Sequence, residues 1–338
     1  MKPLIIYHSD QSGATNSILK LAKENYSFAK LPKFQAGYFK LIPFYWILFL
    51  KLIFRKKVIL NGLAVISNPK IIYLLPLLKS KDIFIYWHEA EYHWNETRIN
   101  QNHIGSLNDL INEATHLVDS KIVKEWLIDK FKISKSKIEV IYECIDQKKI
   151  QLKSKENKNV QNQDIDQFCI VIIGSVCIRK GINEVLKLLS KLSRKFKILW
   201  IGKYVEFSDK QKLEFKSINK NPEKGSIEFF GHKKNPYPFI KKANIVLIPS
   251  IDEPFGIVGL EALALGKFIV TNKSVGFSEI ITKDERLGFI YKDIIDLAKF
   301  LNNIDEKITN KHIKMRKDKA FEYDISNFEK RFDNILNQ

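Results

Sequence analysis

Two glutamates, Glu253 and Glu261, lie eight positions apart in a stretch (249–266) whose pattern predicts a strand, a loop and a helix. In open α/β sheets ligands bind where strands end, and the start of the following helix favours anions. Carboxylates beside a phosphate are useful when they accept hydrogen bonds from hydroxyl groups, which sugars and riboses supply. The pattern indicates a site for a ligand that carries both a phosphate and hydroxyl groups. Backbone contacts to it are expected from the start of the helix, at Phe255, Gly256, Ile257 and Val258.

A second segment, 172–181, also follows a predicted strand and opens a predicted helix. Arg179 and Lys180 would place positive charge where a diphosphate binds. Gly174 and Gly181 would let the backbone come close to it. Because Arg-Lys-Gly is common on protein surfaces, this segment gains weight only from its position upstream of the two glutamates.

The spacing Glu-x7-Glu, with Pro-Phe-Gly-Ile-Val inside it, resembles the signature of the glycosyl transferases group 1 family, retaining glycosyltransferases with the GT-B fold. The resemblance implies that Glu253 contacts the donor sugar as a catalytic residue. It implies that Glu261 contacts the ribose of the nucleotide.

The phosphate element departs from the family at one position. Residues 174–181 resemble the family's Gly-Arg-x4-Lys-Gly, but Ser175 stands where the family has arginine. Either Arg179 reaches the phosphate instead, or binding depends on Lys180 and the helix dipole. In both cases Lys180 is expected to act catalytically, by stabilising the charge that develops on the diphosphate.

The first half of the chain is expected to supply further site residues. Gly13 lies in a loop after the first predicted strand, where the family brings a glycine near the donor phosphates. The segment 85–89 resembles the family's Val-x-x-His, which implies that His88 lines the reaction centre as a catalytic residue. Glu89 and Glu91 are either groups that orient hydroxyls or solvated loop acids.

The resemblance extends in order along about residues 3–300, densely in the second half and sparsely in the first. Gly231 and His232 end a strand that flanks the nucleobase in the family, and 276–281 matches its Gly-x-x-Glu-Ile-Ile continuation. Residues 141–146, Ile-Tyr-Glu-Cys-Ile-Asp, stand where relatives often read Pro-Asn-Gly-Ile-Asp. Such a distribution is expected if donor binding is shared and acceptor binding varies.

Apolar runs of strand length alternate with helical patterns along most of the 338 residues, which predicts parallel α/β construction in two domains. With the resemblance, the expected fold is GT-B, two Rossmann-like doubly wound domains facing across a cleft. The predicted parts are an acceptor-side domain (1–147), a polar linker (148–167), a nucleotide-sugar-binding domain (168–300) and a helical tail (301–338). The tail either packs back on the first domain or stays apart from it.

Composition argues against several other classes of protein. Hydrophobic residues make up 45% of the chain, which excludes global disorder, and three cysteines without a CxxC pair indicate a reducing cytosol rather than a disulfide scaffold or zinc site. Asp164 and Asp166 have the form of a metal-binding D-x-D motif, but they lie in the polar linker without a donor-site context. No metal or other cofactor is therefore expected.

A basic, aromatic stretch bears on the protein's location. The net charge is +18, and residues 1–88 hold 13 basic and 3 acidic side chains. The apolar run 41–54 would form about 21 Å of helix, too short to span the ~30 Å hydrocarbon core. It is either a buried helix or an interfacial helix that docks Phe39–Lys57 on an anionic membrane surface. In the second case the contacts come from aromatic side chains and from the basic ones that follow: Tyr45, Trp46, Phe49, Arg55, Lys56 and Lys57.

The leading hypothesis is a retaining hexosyltransferase that moves a sugar from a UDP- or GDP-linked donor to a glycan or lipid-linked acceptor, in surface polysaccharide or glycolipid biosynthesis. A sugar-nucleotide epimerase or a phosphorylase on the same fold is the alternative. A basic nucleic-acid-binding protein is a distant one, because the aromatic residues lie in apolar runs rather than among exposed Lys and Arg. No nucleic-acid partner is therefore expected. No stretch resembles a cleaved signal peptide, so a cytoplasmic protein, docked peripherally on the inner face of the membrane, is expected.

Overall fold

The structure is a computed structural model of the chain. It describes all residues except 1, 9–17, 22–23, 32–37, 69–70, 72–73, 90, 97–103, 157–166, 194, 221–224 and 306–309. The chain divides into two compact units. The first contains Met1–Glu143 and Ile325–Gln338, and the second contains Cys144–Asp324.

The first unit is built on a six-stranded parallel sheet. Its strands are β1 (Leu4–Tyr7), β2 (Ser27–Lys30), β3 (Lys57–Asn61), β4 (Asp82–Trp87), β5 (Thr115–Val118) and β6 (Ile138–Val140). The central strands are runs of aliphatic and aromatic residues that are almost fully buried, as a parallel sheet covered by helices requires. The strand order is β2-β1-β3-β4-β5-β6, so the chain reverses direction across the sheet between β1 and β3.

Seven described α-helices belong to the first unit, besides a short 3-10 helix at Lys135–Lys137. They are α1 (Tyr38–Ile53), α2 (Leu63–Ile66), α3 (Leu75–Leu78), α4 (Glu91–Glu96), α5 (Ile104–Glu113), α6 (Lys121–Phe131) and α15 (Ile325–Leu336). No helix in the described part of the chain is both long and apolar enough to cross a membrane.

The second unit contains another six-stranded parallel sheet. Its strands are β7 (Phe168–Ile173), β8 (Phe196–Ile201), β9 (Ser226–Phe229), β10 (Ile245–Ile248), β11 (Phe268–Asn272) and β12 (Gly288–Tyr291). The order is β12-β11-β10-β7-β8-β9, the Rossmann order, in which the chain reverses direction between β7 and β10. Ligands of such sheets bind outside the carboxyl ends of the two strands at this switch point.

The described helices of the second unit flank this sheet. They are α7 (Gln147–Lys153), α8 (Ile182–Leu189), α9 (Asp209–Asn219), α10 (Tyr237–Lys242), α11 (Val258–Ala264), α12 (Ser278–Ile281), α13 (Ile294–Asn303) and α14 (Ile313–Phe321). Helices α8 and α11 follow directly on the loops after β7 and β10, where several of the predicted donor-binding residues lie.

The polar stretch predicted as a linker from 148 onward begins instead with α7, a helix of the second unit. Asp146 caps it by accepting a hydrogen bond from the backbone N–H of Lys149 (2.9 Å), and Ile150 is buried. Gln147 donates to the carbonyl of Lys317 (2.9 Å). The composition is misleading here because this short helix is held by capping and by distant partners rather than by an apolar stripe.

The predicted helical tail is divided between the two units. Helix α14 lies in the second unit, whereas α15 lies in the first. There the Phe332 ring packs against Tyr86 (6.2 Å between centroids) and Tyr26 (5.9 Å), and the Tyr26 hydroxyl donates to Asp333. Phe328 and Phe332 are fully buried, so α15 completes part of the first unit's core.

Candidate functional site

The loops after β7 and β10 interlock at the switch point of the second unit. The backbone N–H of Ile251 donates to the carbonyl of Arg179 at 3.0 Å. Gly181 has φ +83°, and a Cβ at this position would lie only 2.1 Å from the carbonyl oxygen of Pro249. Only glycine therefore lets the two loops approach this closely.

The interlocked loops bring together three of the predicted site residues. The carboxylate of Glu253 accepts from the ammonium of Lys180 and lies 3.3 Å from Nη1 of Arg179. The Ser250 hydroxyl lies 3.3 Å from the same carboxylate oxygen, and Arg179 also donates to the carbonyl of Asp252 at 2.8 Å. The side chains of the three site residues are 15–19% exposed, so the cluster is largely, but not wholly, withdrawn from water.

The electrostatics of this cluster favour a charged Glu253. Burial alone would raise the pKa of its carboxyl group, but the charges of Lys180 and Arg179, together with hydrogen bonds from Lys180 and Ser250, outweigh burial and hold the pKa below its ordinary value of 4.5. Within this cluster of three side chains, one carboxylate thus faces two cations, which leaves one positive charge in excess among them. An anion such as a diphosphate is the ligand that suits this balance.

The loop that carries Glu253 is fixed by backbone hydrogen bonds to the chain after β11. The N–H of Glu253 donates to the carbonyl of Ser274 (3.1 Å), and the N–H of Gly276 donates back to Glu253 (3.0 Å). Gly256 has φ +89°, and a Cβ there would come within 3.3 Å of Cγ of Glu253. Of the residues predicted at the helix start, Phe255 and Gly256 are buried, and Ile257 and Val258 are half-buried. Helix α11 begins at Val258, with Ile257 as its N-cap.

Glu261 lies one turn into α11 and has a partner that the sequence did not suggest. The hydroxyl of Tyr237 donates to it at 3.0 Å. Burial, followed by the charge and hydrogen bond of Glu261, raises the pKa of Tyr237. Tyr237 therefore stays a neutral donor that orients the Glu261 carboxylate, the group predicted to bind the ribose.

The remaining predicted donor residues lie on the loops around the same sheet edge. Gly174 and Ser175 directly follow β7, and the indole of Trp200 donates to the carbonyl of Gly174 (2.9 Å). Gly231 follows β9 with φ +63° and open space where a Cβ would lie, and His232 beside it is exposed. None of these positions is tied to Glu253 by a described side-chain contact, so their donor roles stay predictions.

His88 lies in the first unit, at the carboxyl end of β4, and both ring nitrogens have partners. Nδ1 lies 3.0 Å from the carboxylate of Glu143, and Nε2 lies 2.7 Å from the side-chain oxygen of Asn61. A carboxylate and an amide oxygen both only accept hydrogen bonds, so each ring nitrogen faces an acceptor. The carboxylate of Glu143 is the stronger acceptor of the two and draws the hydrogen of the ring to Nδ1. The ring is held by residues from the ends of β3 and β6, and its side chain is 2% exposed.

Two neighbours of His88 have distinct roles in the structure. Glu89 accepts hydrogen bonds from the backbone N–H groups of His88 and Leu63, both at 3.1 Å, so it caps the short helix α2. Glu91 is exposed at the start of α4. Gly13, predicted near the donor phosphates, lies outside the described residues.

The acids around His88 form a group with the spacing of a cation site. Ligand atoms of His88, Asp119 and Glu143 lie within 4.8 Å of one another, and all three residues are buried. Sequence analysis did not predict this group, because its members come from the ends of three separate strands. These residues do not form a local motif such as CxxC or HxxxH, which would indicate a metal site in the sequence.

Replacing Glu143 with leucine is expected to shift the hydrogen of His88 between the ring nitrogens, because the acceptor that fixes it on Nδ1 is lost. The ¹⁵N signals of histidine-labelled protein measure this shift. His116 provides an internal reference of opposite tautomer, since Trp87 donates to its Nδ1 (2.9 Å) and burial lowers its pKa to about 4. Glu143→Gln, which retains an acceptor oxygen, is the matched control. An unprotonated Nδ1 in the wild type would contradict the assignment.

The chain is similar in sequence to known glycosyltransferases. A family model described as Glycosyl transferases group 1 matches residues 153–321, half of the chain. An uncharacterised glycosyltransferase of Methanocaldococcus jannaschii is 30% identical over 182 residues, which cover 51% of this chain and 45% of the relative. A Campylobacter jejuni enzyme, N-acetylgalactosamine-N,N'-diacetylbacillosaminyl-diphospho-undecaprenol 4-alpha-N-acetylgalactosaminyltransferase, is 27% identical over 170 residues, 50% of this chain and 44% of that enzyme. The matched part thus spans a little under half the length of these relatives.

The structural comparison covers both units. HepE of Anabaena, solved in complex with UDP, matches 100% of both chains with a TM-score of 0.79 at 16% identity. This likeness confirms the predicted GT-B fold class. The match of the family model covers the second unit almost completely and includes the ion-paired cluster around Glu253. The chain belongs to the Glycosyl transferases group 1 family.

Proposed function

We propose that this protein is a retaining hexosyltransferase that moves a sugar from a nucleotide-sugar donor to a glycan or lipid-linked acceptor. The observation that carries the proposal is the contact of Glu253 with Lys180 and Arg179 at the switch point of the second sheet. These side chains offer positive charge to a diphosphate and a carboxylate to sugar hydroxyls within the length of one ligand.

The relatives support the kinds of substrate. HepE was solved with UDP and with UDP-glucose, and the name of the Campylobacter relative specifies a diphospho-undecaprenol acceptor. A UDP-linked donor is therefore the first choice for this protein and a GDP-linked donor the second. A lipid-linked acceptor fits biosynthesis of surface polysaccharide or glycolipid.

Donor binding, in this proposal, exchanges the partners of the ion-paired cluster. The diphosphate takes the cations of Lys180 and Arg179, which releases the carboxylate of Glu253 to accept a hydrogen bond from a sugar hydroxyl. As the bond from the sugar C1 to the diphosphate oxygen breaks, the acceptor oxygen bonds to C1 on the same face and its proton passes to the departing diphosphate. The cations stabilise the charge that develops on that group, which is electrostatic catalysis.

His88 is proposed as a second site residue, on the resemblance alone. Its ring nitrogens are engaged by Asn61 and Glu143, so a hydrogen bond to a substrate hydroxyl requires one of these partners to be exchanged. Nε2 is the better placed of the two, because the amide of Asn61 is a weaker partner than the carboxylate of Glu143.

Sugar transfer is expected to survive removal of divalent metal by a chelator, because side-chain cations face the diphosphate. The rate is measured before and after dialysis against EDTA, and the metal content of the purified protein is measured alongside. The metal analysis also tests whether the group of His88, Asp119 and Glu143 binds a metal ion. A rate that collapses in EDTA and returns with Mg²⁺ or Mn²⁺ would contradict the proposal.

The experiment that tests the function is a panel of nucleotide sugars. Each is tested first for its effect on the melting temperature, since a ligand of the native state raises it. The stabilising donor is then incubated with candidate acceptors, and the anomeric configuration of the product is read by NMR. An inverted product, or interconversion of the sugar without an acceptor, would contradict the proposal.

A further inference from the structure

The second half of helix α1 carries an apolar face that the described residues of the first unit leave exposed. Five large apolar residues lie on this face or directly after the helix, within nine positions, and each is 41–64% exposed: Trp46, Ile47, Leu50, Ile53 and Phe54. The rings of Trp46 and Phe49 stack at 5.7 Å between centroids. Isolated exposed apolar residues are ordinary, but a stripe of this size on one helix marks an interaction surface.

The opposite face of α1 is anchored in the core. Leu48 and Leu52 are at most 1% exposed, and the ammonium of Lys51 donates to the carbonyl of Phe28 at 3.0 Å. The two interpretations of the run 41–54 therefore each describe one side of the helix. Its 16 residues span about 24 Å, so the helix lies along a surface rather than through a membrane.

Basic groups surround the carboxyl end of the exposed face. Arg55 donates to the carbonyl of Lys2 (3.1 Å), and Lys81 lies 3.4 Å from the carbonyl of Ile53, which places all of these near the end of α1. Lys56 is exposed, whereas the ammonium of Lys57 is turned inward to the carbonyl of Leu336. Residues 38–57 contain no acidic side chain.

We infer that this face of α1 docks the protein on an anionic lipid surface, with Trp46 and Phe54 inserted at the headgroup boundary and Lys56 and its basic neighbours on lipid phosphates. The aromatic stripe ends among basic side chains that outnumber the exposed Asp82 beside them, whose backbone N–H donates to the carbonyl of Lys56 (2.9 Å), so this face is complementary to an anionic surface. A second copy of the chain would bring further positive charge to this face rather than the negative charge that it complements. The inference concerns the first unit and stands whether or not the proposed sugar transfer is correct.

The test is flotation of the full chain, without donor, on phosphatidylcholine vesicles with and without phosphatidylglycerol. Binding is expected only with phosphatidylglycerol, and it should fall in high salt. The double variant Trp46→Ser/Phe54→Ser is expected to bind about tenfold more weakly or worse, since the insertion is lost. The matched control is Leu152→Ser/Leu213→Ser in the second unit, whose side chains are equally exposed (65% and 66%).

Two further measurements keep the inference open to refutation. Brominated lipid should quench the tryptophan fluorescence of the wild type by a larger fraction than that of Trp46→Phe. This variant retains an aromatic ring at position 46 and should fold. Lys56→Glu should weaken binding where Lys210→Glu, an exposed control in the second unit, does not. Equal binding to neutral and anionic vesicles, or none to either, would overturn the inference. So would sedimentation as a dimer that Trp46→Ser/Phe54→Ser dissociates, because the face would then serve a second copy.

Discussion

Replacing Glu253 with glutamine is expected to abolish sugar transfer or to lower its rate at saturating donor by about 10–150-fold, while the fold is retained. The change removes the charge of the carboxylate that is proposed to accept a hydrogen bond from the donor sugar, and a charged hydrogen bond contributes about 1.5–3 kcal/mol. Turnover is measured with the donor identified in the panel. Glu184→Gln is the matched control, because Glu184 also pairs with a lysine (Lys187, 3.0 Å) but on the exposed face of α8.

The pH dependence of unfolding provides a check on the same variant. Because the pKa of Glu253 is held below 4.5 in the folded protein, its ion pairs stabilise the native state fully above that value and lose this effect as the pH falls through the lowered pKa. The difference in stability between wild type and Glu253→Gln should therefore be constant near neutral pH and shrink in acid. Near-normal turnover of Glu253→Gln would exclude the proposed role.

Replacing Lys180 with alanine is expected to weaken binding of the nucleoside diphosphate alone, as well as of the complete donor, by about 10–150-fold. The reason is that the proposed partner of Lys180 is phosphate rather than sugar. Its side chain lies against Gly174, where an added Cβ would be only 3.4 Å from Cδ of the lysine, so the ammonium is held over the loop after β7. Calorimetry with the free diphosphate measures the effect directly.

Two further variants show whether the effect is specific to Lys180. Lys187→Ala, in the exposed pair on α8, should leave the affinity unchanged. Arg179→Ala should also weaken diphosphate binding if Arg179 substitutes for the arginine that the family has at Ser175. An unchanged affinity of Lys180→Ala for the diphosphate would contradict the assignment, even if its transfer rate fell.

The meeting of Arg179, Lys180 and Glu253 at one sheet edge is predictable from the sequence because each residue closely follows a strand. Arg179 and Lys180 closely follow β7, and Glu253 closely follows β10, so a parallel sheet alone brings the two segments to one edge. What the sequence did not indicate is that these charges pair with one another. That contact depends on the closeness of the two loops, which Gly181 permits against the backbone of Pro249.

The surroundings of His88 could not be predicted in the same way. Its partners, Asn61 and Glu143, lie 27 and 55 positions away along the chain and belong to other strands. Neither has a neighbouring residue of related chemistry that would mark it. Short edge strands such as β2 cannot be recognised from the sequence either, since its four residues, Ser-Phe-Ala-Lys, carry too little pattern.

The assignment of α15 to the first unit has a consequence for how the chain folds during synthesis. The ribosome releases residues 1–143 early, but Phe328 and Phe332, which fill the space beside Tyr86 and Tyr26, follow only after the whole second unit. The second unit is continuous in sequence and needs no later segment for its own sheet. Part of the apolar core of the first unit therefore stays exposed until the second unit has been synthesised. In a chain truncated at residue 324 this part of the core would stay exposed.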